Sequence, residues 1–318
     1  MSNLNISVVI PVYNRVNELH MTLNSLTKQT LPLSLFEVII ADDGSSEDVQ
    51  NTLKDFPNLQ IKYQHQANEG FRVAAARNLG ADQVSGEVIV FNDNGMLAKS
   101  DCLENHYKYH QANDENYVVL AYMHGTNPRS NQDKMRKILD ENIKNPDEAI
   151  FTMKEEGDMG DGREYFFGIN GDEVYKWYIP WHPLWGGNFS VNRSFVEKNR
   201  IRWNEKFDSW GCEDNEYGIQ LCLAGAKINM HRDVEAVHYP TPVAVAAAVK
   251  DSRTVEYADV TQFLYSQRPL RGVKAWVDMR VTDYFVFNPE DRAAFFKQKG
   301  WGEEWEHDPL GLVEGAEN

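Results

Sequence analysis

Ile6-Ser7-Val8-Val9-Ile10-Pro11 is the stretch that decides the fold of this chain. A short apolar run that ends at a proline is typical of a strand buried on both faces of a sheet. Amphipathic helical patterns alternate with further strand-like runs at 36–41, 59–63 and 87–91. Because the links between them are short, this β-α-β-α-β order predicts an α/β fold with a doubly wound, mostly parallel sheet and right-handed crossovers. Asn14 is expected to cap the first helix.

The composition is that of a folded globular protein. The chain has 318 residues, of which 42% are hydrophobic and 25% are charged. This length allows one large domain, or one domain with an appendage. The net charge of -16 would repel phosphate backbones and anionic membrane surfaces, so nucleic acid is not expected as a partner. A nucleotide ligand stays open, because local arginines and a metal can override the overall field.

Neither a targeting sequence nor a transmembrane segment is expected. Residues 1–7 run straight into the first strand, and no later segment approaches the ~18 consecutive apolar residues of a membrane helix. Cys102, Cys212 and Cys222 form no CxxC pair and leave an odd thiol. This pattern fits a reducing compartment. The sequence therefore predicts a cytoplasmic protein without a disulfide framework or a cysteine zinc site.

Polar residues follow the predicted strands, where a doubly wound sheet binds its ligands. Pro11, Tyr13 and Arg15 follow the first strand, and Asp42 and Asp43 follow the second. No GxGxxG or GxxxxGK[ST] motif follows the first strand, so dinucleotide-binding and P-loop interpretations lose their usual support. A turn followed by a helix cap is the structural alternative for the two aspartates.

Two more charged residues are expected in the same crevice. Arg77 lies in a helix of small residues at 74–80, from which it can reach an anionic group. Asp93 lies in Asn92-Asp93-Asn94-Gly95, directly after the fourth strand. A metal ion or a phosphate would sit beside it.

Trp210-Gly211-Cys212-Glu213-Asp214 comes directly before a helical pattern at 215–224. The two carboxylates are thus expected at or just before a helix N-terminus, where free N–H groups and the helix dipole keep them ionised. With a tryptophan able to stack on a sugar, this arrangement suits a general base facing a hydroxyl. A helix cap with solvated acids explains these residues equally well by themselves.

Taken together, these motifs resemble the inverting glycosyltransferases of family 2, which have the GT-A fold. The resemblance rests on the order of the motifs at the ends of successive strands and covers about residues 5–240. It implies a GT-A domain at 1–240, with a nucleotide-binding half at 1–125 and an acceptor and catalytic half at 126–240. Residues 241–318 form an aromatic-rich C-terminal extension without a family signal, which could cap the domain, mediate homo-oligomerisation or hold an acceptor.

The resemblance implies a nucleotide site and a metal site. The residues implied at the nucleotide are Pro11, Tyr13, Arg15, Asp42, Arg77, Asn92 and Asp93. Asp93 matches the first acid of the DxD motif, but Gly95 stands where the last acid belongs. His238 resembles the C-terminal histidine that completes the metal site in several GT-A enzymes. Asp93 and His238 are therefore the expected ligands of Mn²⁺ or Mg²⁺; a histidine hydrogen-bonded at a strand end is the alternative.

Further residues are implied at the donor sugar and the acceptor. Gly186-Gly187-Asn188 resembles the family's GGN segment, in which glycines let the backbone approach a ligand. Trp185 and Trp210 offer flat apolar faces to a sugar ring. The run at 210–214 resembles the WGxED segment of galactosyl- and N-acetylgalactosaminyltransferase-like domains and of chondroitin-type polymerases. That likeness implies Asp214 as the catalytic base, Glu213 as a hydrogen-bonding partner and Trp210 as an acceptor platform.

The expected function is transfer of a hexose or N-acetylhexosamine from a UDP-sugar to a glycan, a peptide, a lipid head group or a small molecule, with inversion. A metal, or arginine and backbone donors if none binds, would neutralise the leaving diphosphate. A non-catalytic GT-A module is the main alternative, and Gly95 is the best sign of it. A sugar nucleotidyltransferase is a weaker one, because residues 11–15 are not a Gly-rich basic loop. The polar segment at 127–172 is expected to be a lid, an acceptor loop or a surface excursion.

Overall fold

The computed structural model describes residues 4–127, 129–240, 257–279 and 289–314. Its strands are β1 Ile6–Val12, β2 Phe36–Asp42, β3 Ile61–His65, β4 Val88–Asn92, β5 Met96–Ala98, β6 Tyr117–His124, β7 Asn188–Asn192 and β8 Lys227–His238. They form one sheet with the order β3-β2-β1-β4-β7-β6-β8-β5.

Helices cover this sheet, and short 3-10 turns lie at Leu33–Leu35 and Val174–Lys176. The helices of the domain are α1 Val16–Leu26, α2 Val49–Leu53, α3 Val73–Ala81, α4 Cys102–Ala112, α5 Gln132–Glu141, α6 Pro146–Glu156, α7 Glu164–Asn170, α8 Arg193–Lys198 and α9 Glu213–Leu223. The helices after residue 256 are α10 Tyr257–Gln267, α11 Arg271–Met279, α12 Pro289–Lys299 and α13 Glu304–His307. None of the helices in the described ranges is both long and apolar enough to cross a membrane.

The N-terminal half of the sheet has the predicted βαβ topology. β1 pairs in parallel with both β2 and β4, and β2 pairs in parallel with β3. Gly80 lets α3 press on this layer, since a Cβ there would lie 2.6 Å from Val9 Cγ1. β7 then enters antiparallel between β4 and β6, and β5 is antiparallel to β8, while β6 and β8 are parallel. The sheet is therefore mixed, and its parallel half carries the ends of β1, β2 and β4 to one edge.

Asn14 does not cap α1 as the sequence suggested. Its backbone has φ 54°, and its Oδ1 accepts hydrogen bonds from the N–H groups of Ser46 at 2.9 Å and Glu47 at 3.2 Å. Arg15, with φ 60°, takes the N-cap position instead. Asn14 thus ties the loop after β1 to the loop after β2, a contact between distant parts of the chain that a local capping pattern could not reveal.

The polar segment after residue 127 is a packed part of the domain. It contains α5, α6 and α7, and a fully buried ion pair between Asp161 and Arg163 anchors it. The Arg163 guanidinium donates to the carbonyl oxygens of Ala121 at 2.6 Å and Pro183 at 2.8 Å. Because a buried cation needs every donor satisfied, these bonds hold the segment firmly against the sheet.

The described C-terminal helices share an apolar core with residues before position 240. Trp276 and Phe296 are buried in the same apolar cluster as Trp181. Arg268, just after α10, donates from Nε to Glu216 Oε1 of α9 at 2.7 Å. The boundary at residue 240 and self-association through the extension stay predictions. The apolar run at 241–249 and the aromatic residues at 284, 285 and 287 lie outside the described residues.

We predict that Arg268→Ala lowers the free energy of unfolding by about 1–3 kcal/mol, because it leaves the fully buried Glu216 carboxylate without its cation. This range allows for partial solvent screening of Arg268. The control is Arg202→Ala, which removes an exposed partner of Asp82 and should cost less than about 1 kcal/mol. Denaturant unfolding of both variants measures the difference, and equal losses would show that the Arg268–Glu216 pair does not hold the extension.

Candidate active site

Arg77 lies at the centre of the candidate site, with 2% of its surface exposed. Its Nη2 is 2.8 Å from Asp93 Oδ1, and its Nη1 is 3.2 Å from Glu213 Oε1. The guanidinium also stacks over the Trp203 ring at 4.3 Å. Burial alone would lower the pKa of Arg77, but Asp93, Glu213 and Asp214 together raise it above its usual value. One buried cation therefore pairs with Asp93 on the predicted nucleotide side and with Glu213, the neighbour of the predicted base Asp214.

The two glycines of the GGN segment make room for the protein's own side chains. A Cβ on Gly186 would lie 2.3 Å from Arg77 Nη2, and one on Gly187 would lie 2.6 Å from Met123 Sδ. The close backbone approach predicted at these glycines is thus first an approach to Arg77 and Met123. Whether a ligand also reaches this backbone stays a prediction.

Glu213 and Asp214 are the first two residues of α9, as predicted. Asp214 accepts hydrogen bonds from the N–H groups of Asn215 at 2.7 Å and Gly186 at 3.3 Å. Burial, and then the neighbouring Glu213 carboxylate, nevertheless raise the pKa of Asp214 to about 7. Burial and the Glu213 charge thus oppose the effect of the helix N-terminus, and the expectation that Asp214 is kept ionised stays a prediction. A carboxylate that titrates near neutral pH suits general-base catalysis.

The backbone is strained on both sides of this cluster. Three of the four non-glycine residues with positive φ in the described ranges are Asn14, Arg15 and Cys212. Trp210 and Gly211, which precede Cys212, form a loop in which Trp210 is 65% exposed. Strained backbone of this kind concentrates at functional sites, where the surrounding structure holds it in place.

The residues predicted for the metal site fit it only in part. Asp93 has 36% of its side chain exposed, with its Oδ1 already bonded to Arg77. Burial, and then the charge of Arg15, lower the pKa of His238 to about 4, against a smaller opposing effect of Asp93. His238 is therefore a neutral imidazole, the form that binds metals. No group of three or more His, Cys, Asp or Glu side chains within the described residues could hold a metal ion, so a cation here would need oxygens of its ligand.

Gly95, which stands in place of the last acid of the DxD motif, has a backbone conformation that favours glycine. Its φ is 95°, and its carbonyl accepts a hydrogen bond from the Tyr239 N–H at 2.8 Å. A Cβ at this position would lie 3.2 Å from Arg15 Nη2. An aspartate would be strained here, so the turn after β4 is built without the second acid.

The aspartates after β2 are engaged inside the protein. Asp42 accepts from the Ser45 N–H at 2.8 Å and from the Tyr63 hydroxyl at 2.7 Å, and burial, then Asp42, raise the pKa of Tyr63 to about 12. Asp43 accepts from Gln66 Nε2 at 2.6 Å. Both aspartates are buried. The bond from the Ser45 N–H to Asp42 is consistent with the turn interpretation. The contact of Asp42 with a nucleotide base stays a prediction.

Of the residues predicted after β1, Pro11 is buried within the strand, while Tyr13 is 49% exposed. The Tyr13 hydroxyl accepts a hydrogen bond from Asn68 Nδ2 at 3.0 Å. Tyr13 is thus the residue of this loop most open to a base, whereas Pro11 can act only through the position of the backbone.

Asn92 and Asn188 are bonded to each other inside the protein, and their predicted ligand-binding roles stay predictions. Both side chains are buried, and Asn188 Nδ2 donates to Asn92 Oδ1 at 2.7 Å. Asn188 Oδ1 lies 2.8 Å from Nε2 of His106, whose other ring nitrogen is 2.8 Å from Ser190 Oγ. These amides hold the Asp93 turn. No sequence motif indicated His106, which lies more than 80 residues from Asn188.

Residues 7–199 match the model of Glycosyl transferase family 2. The chain belongs to this family. Validoxylamine A glucosyltransferase of Streptomyces hygroscopicus subsp. jinggangensis (strain 5008) is 32% identical over 241 residues, which cover 74% of this chain and 56% of that protein. Chondroitin synthase of Escherichia coli is 28% identical over 250 residues, covering 74% and 35%. The chain thus spans about half or less of the length of these curated relatives.

Two solved structures that align with this chain confirm the predicted GT-A fold. S. aureus TarS 1-349 in complex with UDP aligns with a TM-score of 0.56 at 17% identity, covering 94% of this chain and 73% of that chain. The mannosyltransferase PcManGT from Pyrobaculum calidifontis, in complex with GDP-Man and Mn²⁺, aligns with a TM-score of 0.56 at 14% identity, covering 94% and 75%. At such identities the likeness shows the fold alone.

Within this family 2 domain the tryptophans divide into core and surface. Trp177 and Trp181 are buried in the main apolar cluster. Trp185 is partly buried against Met96 and Met123, with the Arg163 guanidinium 5.4 Å from its ring. Trp210 is the tryptophan most open to a ligand in the described ranges. Trp203, under Arg77, is a site residue that no sequence motif indicated.

We predict that Gly186→Ala disrupts the site, because its Cβ would meet the guanidinium of Arg77, which is buried and cannot move aside. The expected result is a stability loss of about 1–3 kcal/mol together with weaker nucleotide binding. Gly168→Ala is the matched control, since a Cβ at this helical position meets nothing within 4 Å and should be neutral or slightly stabilising. Thermal unfolding and UDP titration test both variants, and a neutral Gly186→Ala would contradict the close packing of Arg77.

Proposed function

We propose that this chain transfers a hexose or N-acetylhexosamine from a UDP-sugar to an acceptor hydroxyl, with inversion at the anomeric carbon. The observation that carries the proposal is the arrangement around Arg77, which ties Asp93 at the end of β4 to Glu213 beside Asp214. This arrangement supports a general base at Asp214 and a diphosphate site at Asp93, on either side of Arg77. A single carboxylate base is sufficient for inverting transfer, without a covalent intermediate.

Asp214 is the better candidate for the base of the two acids. Glu213 is paired with the buried cation, Oε1 lying 3.2 Å from Arg77 Nη1 and Oε2 accepting from the Gly211 N–H at 3.2 Å, whereas the Asp214 oxygens accept from the backbone N–H groups of Asn215 and Gly186. Asp214 is partly exposed, and its pKa is raised toward neutrality. Glu213 therefore serves to position Arg77 and the loop, while Asp214 has the pKa that proton transfer needs.

In the proposed reaction Asp214 takes the proton of the acceptor hydroxyl as that oxygen attacks the anomeric carbon. The bond from the anomeric carbon to the diphosphate oxygen breaks on the opposite face, and its electron pair leaves with UDP. Asp93 and neutral His238 would hold Mn²⁺ or Mg²⁺ together with diphosphate oxygens, and a bound cation supplies charge neutralisation at the leaving group. The imidazole nitrogen favours Mn²⁺.

The names of the related proteins support a sugar-nucleotide donor. One relative is named as a glucosyltransferase, and one structural neighbour is described in complexes with UDP and with UDP-GlcNAc. The exposed Trp210 beside the candidate base supports an acceptor with a ring face, such as a glycan or a polyhydroxylated small molecule. A non-catalytic module is the second candidate, favoured by Gly95 alone.

Titration calorimetry of UDP, with GDP and NAD as controls, tests the nucleotide site. We expect UDP to bind at least about tenfold more tightly than either control. In a separate assay, the protein should slowly hydrolyse one member of a panel of UDP-glucose, UDP-galactose, UDP-GalNAc and UDP-GlcNAc, with water as acceptor, to the free sugar and UDP. Failure of every nucleotide to bind would overturn the proposed function.

We predict that Asp214→Asn lowers the rate of sugar transfer or donor hydrolysis by about 10²–10⁴, because the amide cannot accept the proton. UDP affinity should stay close to that of the unmodified protein, as it should in the control Asp82→Asn, which changes an exposed carboxylate on α3's C-terminal side. Equal losses of rate and UDP affinity in Asp214→Asn would rule out its assignment as base.

We also predict that the rate of donor hydrolysis rises with pH, with an apparent pKa near 7, because Asp214 must lose its proton to act as base. Glu213→Gln should lower this apparent pKa, since the charge of Glu213 is one cause of the raised pKa. A pH–rate profile of donor hydrolysis by the two proteins checks this. An apparent pKa that is unchanged or higher in Glu213→Gln would contradict the effect of the Glu213 charge on Asp214.

A further inference from the structure

Arg15 occupies the place where the second acid of the DxD motif would project. Its Nη2 lies 3.2 Å from the position of a Cβ on Gly95. The guanidinium therefore fills the space into which a side chain at position 95 would extend.

The loop holds Arg15 in this place. Its backbone has φ 60°, and its carbonyl accepts a hydrogen bond from Asn94 Nδ2 at 3.3 Å. Gly95 is fixed in turn, because its N–H donates to Thr22 Oγ1 at 2.9 Å. The loops after β1 and β4 are thus bonded to each other at the position of Arg15.

Two nitrogens of the Arg15 guanidinium lack hydrogen-bond partners among the described residues. These are Nε, which lies 3.3 Å from Glu18 Oε1, and Nη2. About a quarter of the side chain, 26%, is exposed, but Nε and Nη2 are themselves buried, so an anion would reach these two donors after a change of the Arg15 rotamer. Buried donors without acceptors are costly, and an anionic ligand would relieve that cost.

We propose that Arg15 takes over the task of the missing acid by binding the donor's diphosphate directly. A carboxylate at position 95 would bind the diphosphate only through a cation, whereas a guanidinium donates to phosphate oxygens without one. A fixed positive charge at this position also opposes a divalent cation, so nucleotide binding depends more on Arg15 than on metal. This inference rests on the proposed function, and it adds the group that replaces an acid of the metal site.

Calorimetric titration of UDP and of uridine, each in Mn²⁺ and in EDTA, tests the inference on four proteins. They are the unmodified chain, Arg15→Ala, Arg15→Lys and the control Arg202→Ala, which removes an equal charge from an exposed ion pair on the surface. Circular dichroism and the melting temperature establish that each variant is folded.

We expect the unmodified chain to bind UDP in EDTA with an affinity within about tenfold of that in Mn²⁺. In EDTA, Arg15→Ala should weaken UDP binding by about tenfold or more while leaving uridine binding unchanged, because only the diphosphate contact is lost. Arg15→Lys should recover part of this loss, and Arg202→Ala should show none.

Three outcomes would overturn the inference: UDP binding that disappears in EDTA, Arg15→Ala that binds UDP as tightly as the unmodified chain, or equal losses for UDP and uridine. The last would mean that Arg15 shapes the loop and does not contact the diphosphate. Failure of the unmodified chain to bind UDP in any buffer would instead overturn the proposed function, so the two failures are distinguishable.

Discussion

The structure of the crevice depends on the burial of one guanidinium. Arg77 is withdrawn from water, so it needs negative charge close by, and Asp93 and Glu213 supply it from opposite sides. Those two acids come from segments far apart in the sequence, the turn after β4 and the start of α9. Because neither acid can leave without exposing an uncompensated charge in the interior, the distance between the two sides of the crevice is fixed. The Trp203 ring and the bare backbone of Gly186 complete the space around the cation.

The loops of the site are fixed by bonds between one another. Asn14 binds the loop after β2, and the Asp93 N–H donates to the Gly187 carbonyl at 2.9 Å. The side-chain amide of Asn188 donates a hydrogen bond to Asn92 Oδ1. Such mutual bonding keeps left-handed backbone in place at Asn14 and Arg15, where a free loop would relax. The site is thus largely formed before any ligand arrives, which reduces the conformational cost of binding.

The sequence was sufficient for those parts of the fold that depend on local pattern. β1, β2, β4 and α9 lie within one or two residues of their predicted bounds, because apolar periodicity reports burial directly. The positions of Asp93, Glu213 and Asp214 at the ends of these elements followed from the same pattern.

Contacts between distant segments were not predictable. The antiparallel entry of β7, the link from His106 to Asn188 and the pairing of Arg268 with Glu216 each join residues far apart in the chain. The raised pKa of Asp214 belongs to the same class. A helix N-terminus can be recognised locally, whereas burial beside Glu213 exists only in the folded protein.

The central claim is that a nucleotide diphosphate binds at the edge of the sheet where β1, β2 and β4 end. A crystal structure of this protein with UDP tests it most directly. We expect the uracil to lie beside Tyr13 and Asp42. The diphosphate should lie between Arg15 and Asp93, with Asp214 on the opposite side of the crevice. UDP bound elsewhere, for example in the cavity of about 380 Å³ lined by Arg200, Trp203 and Tyr217, would contradict it.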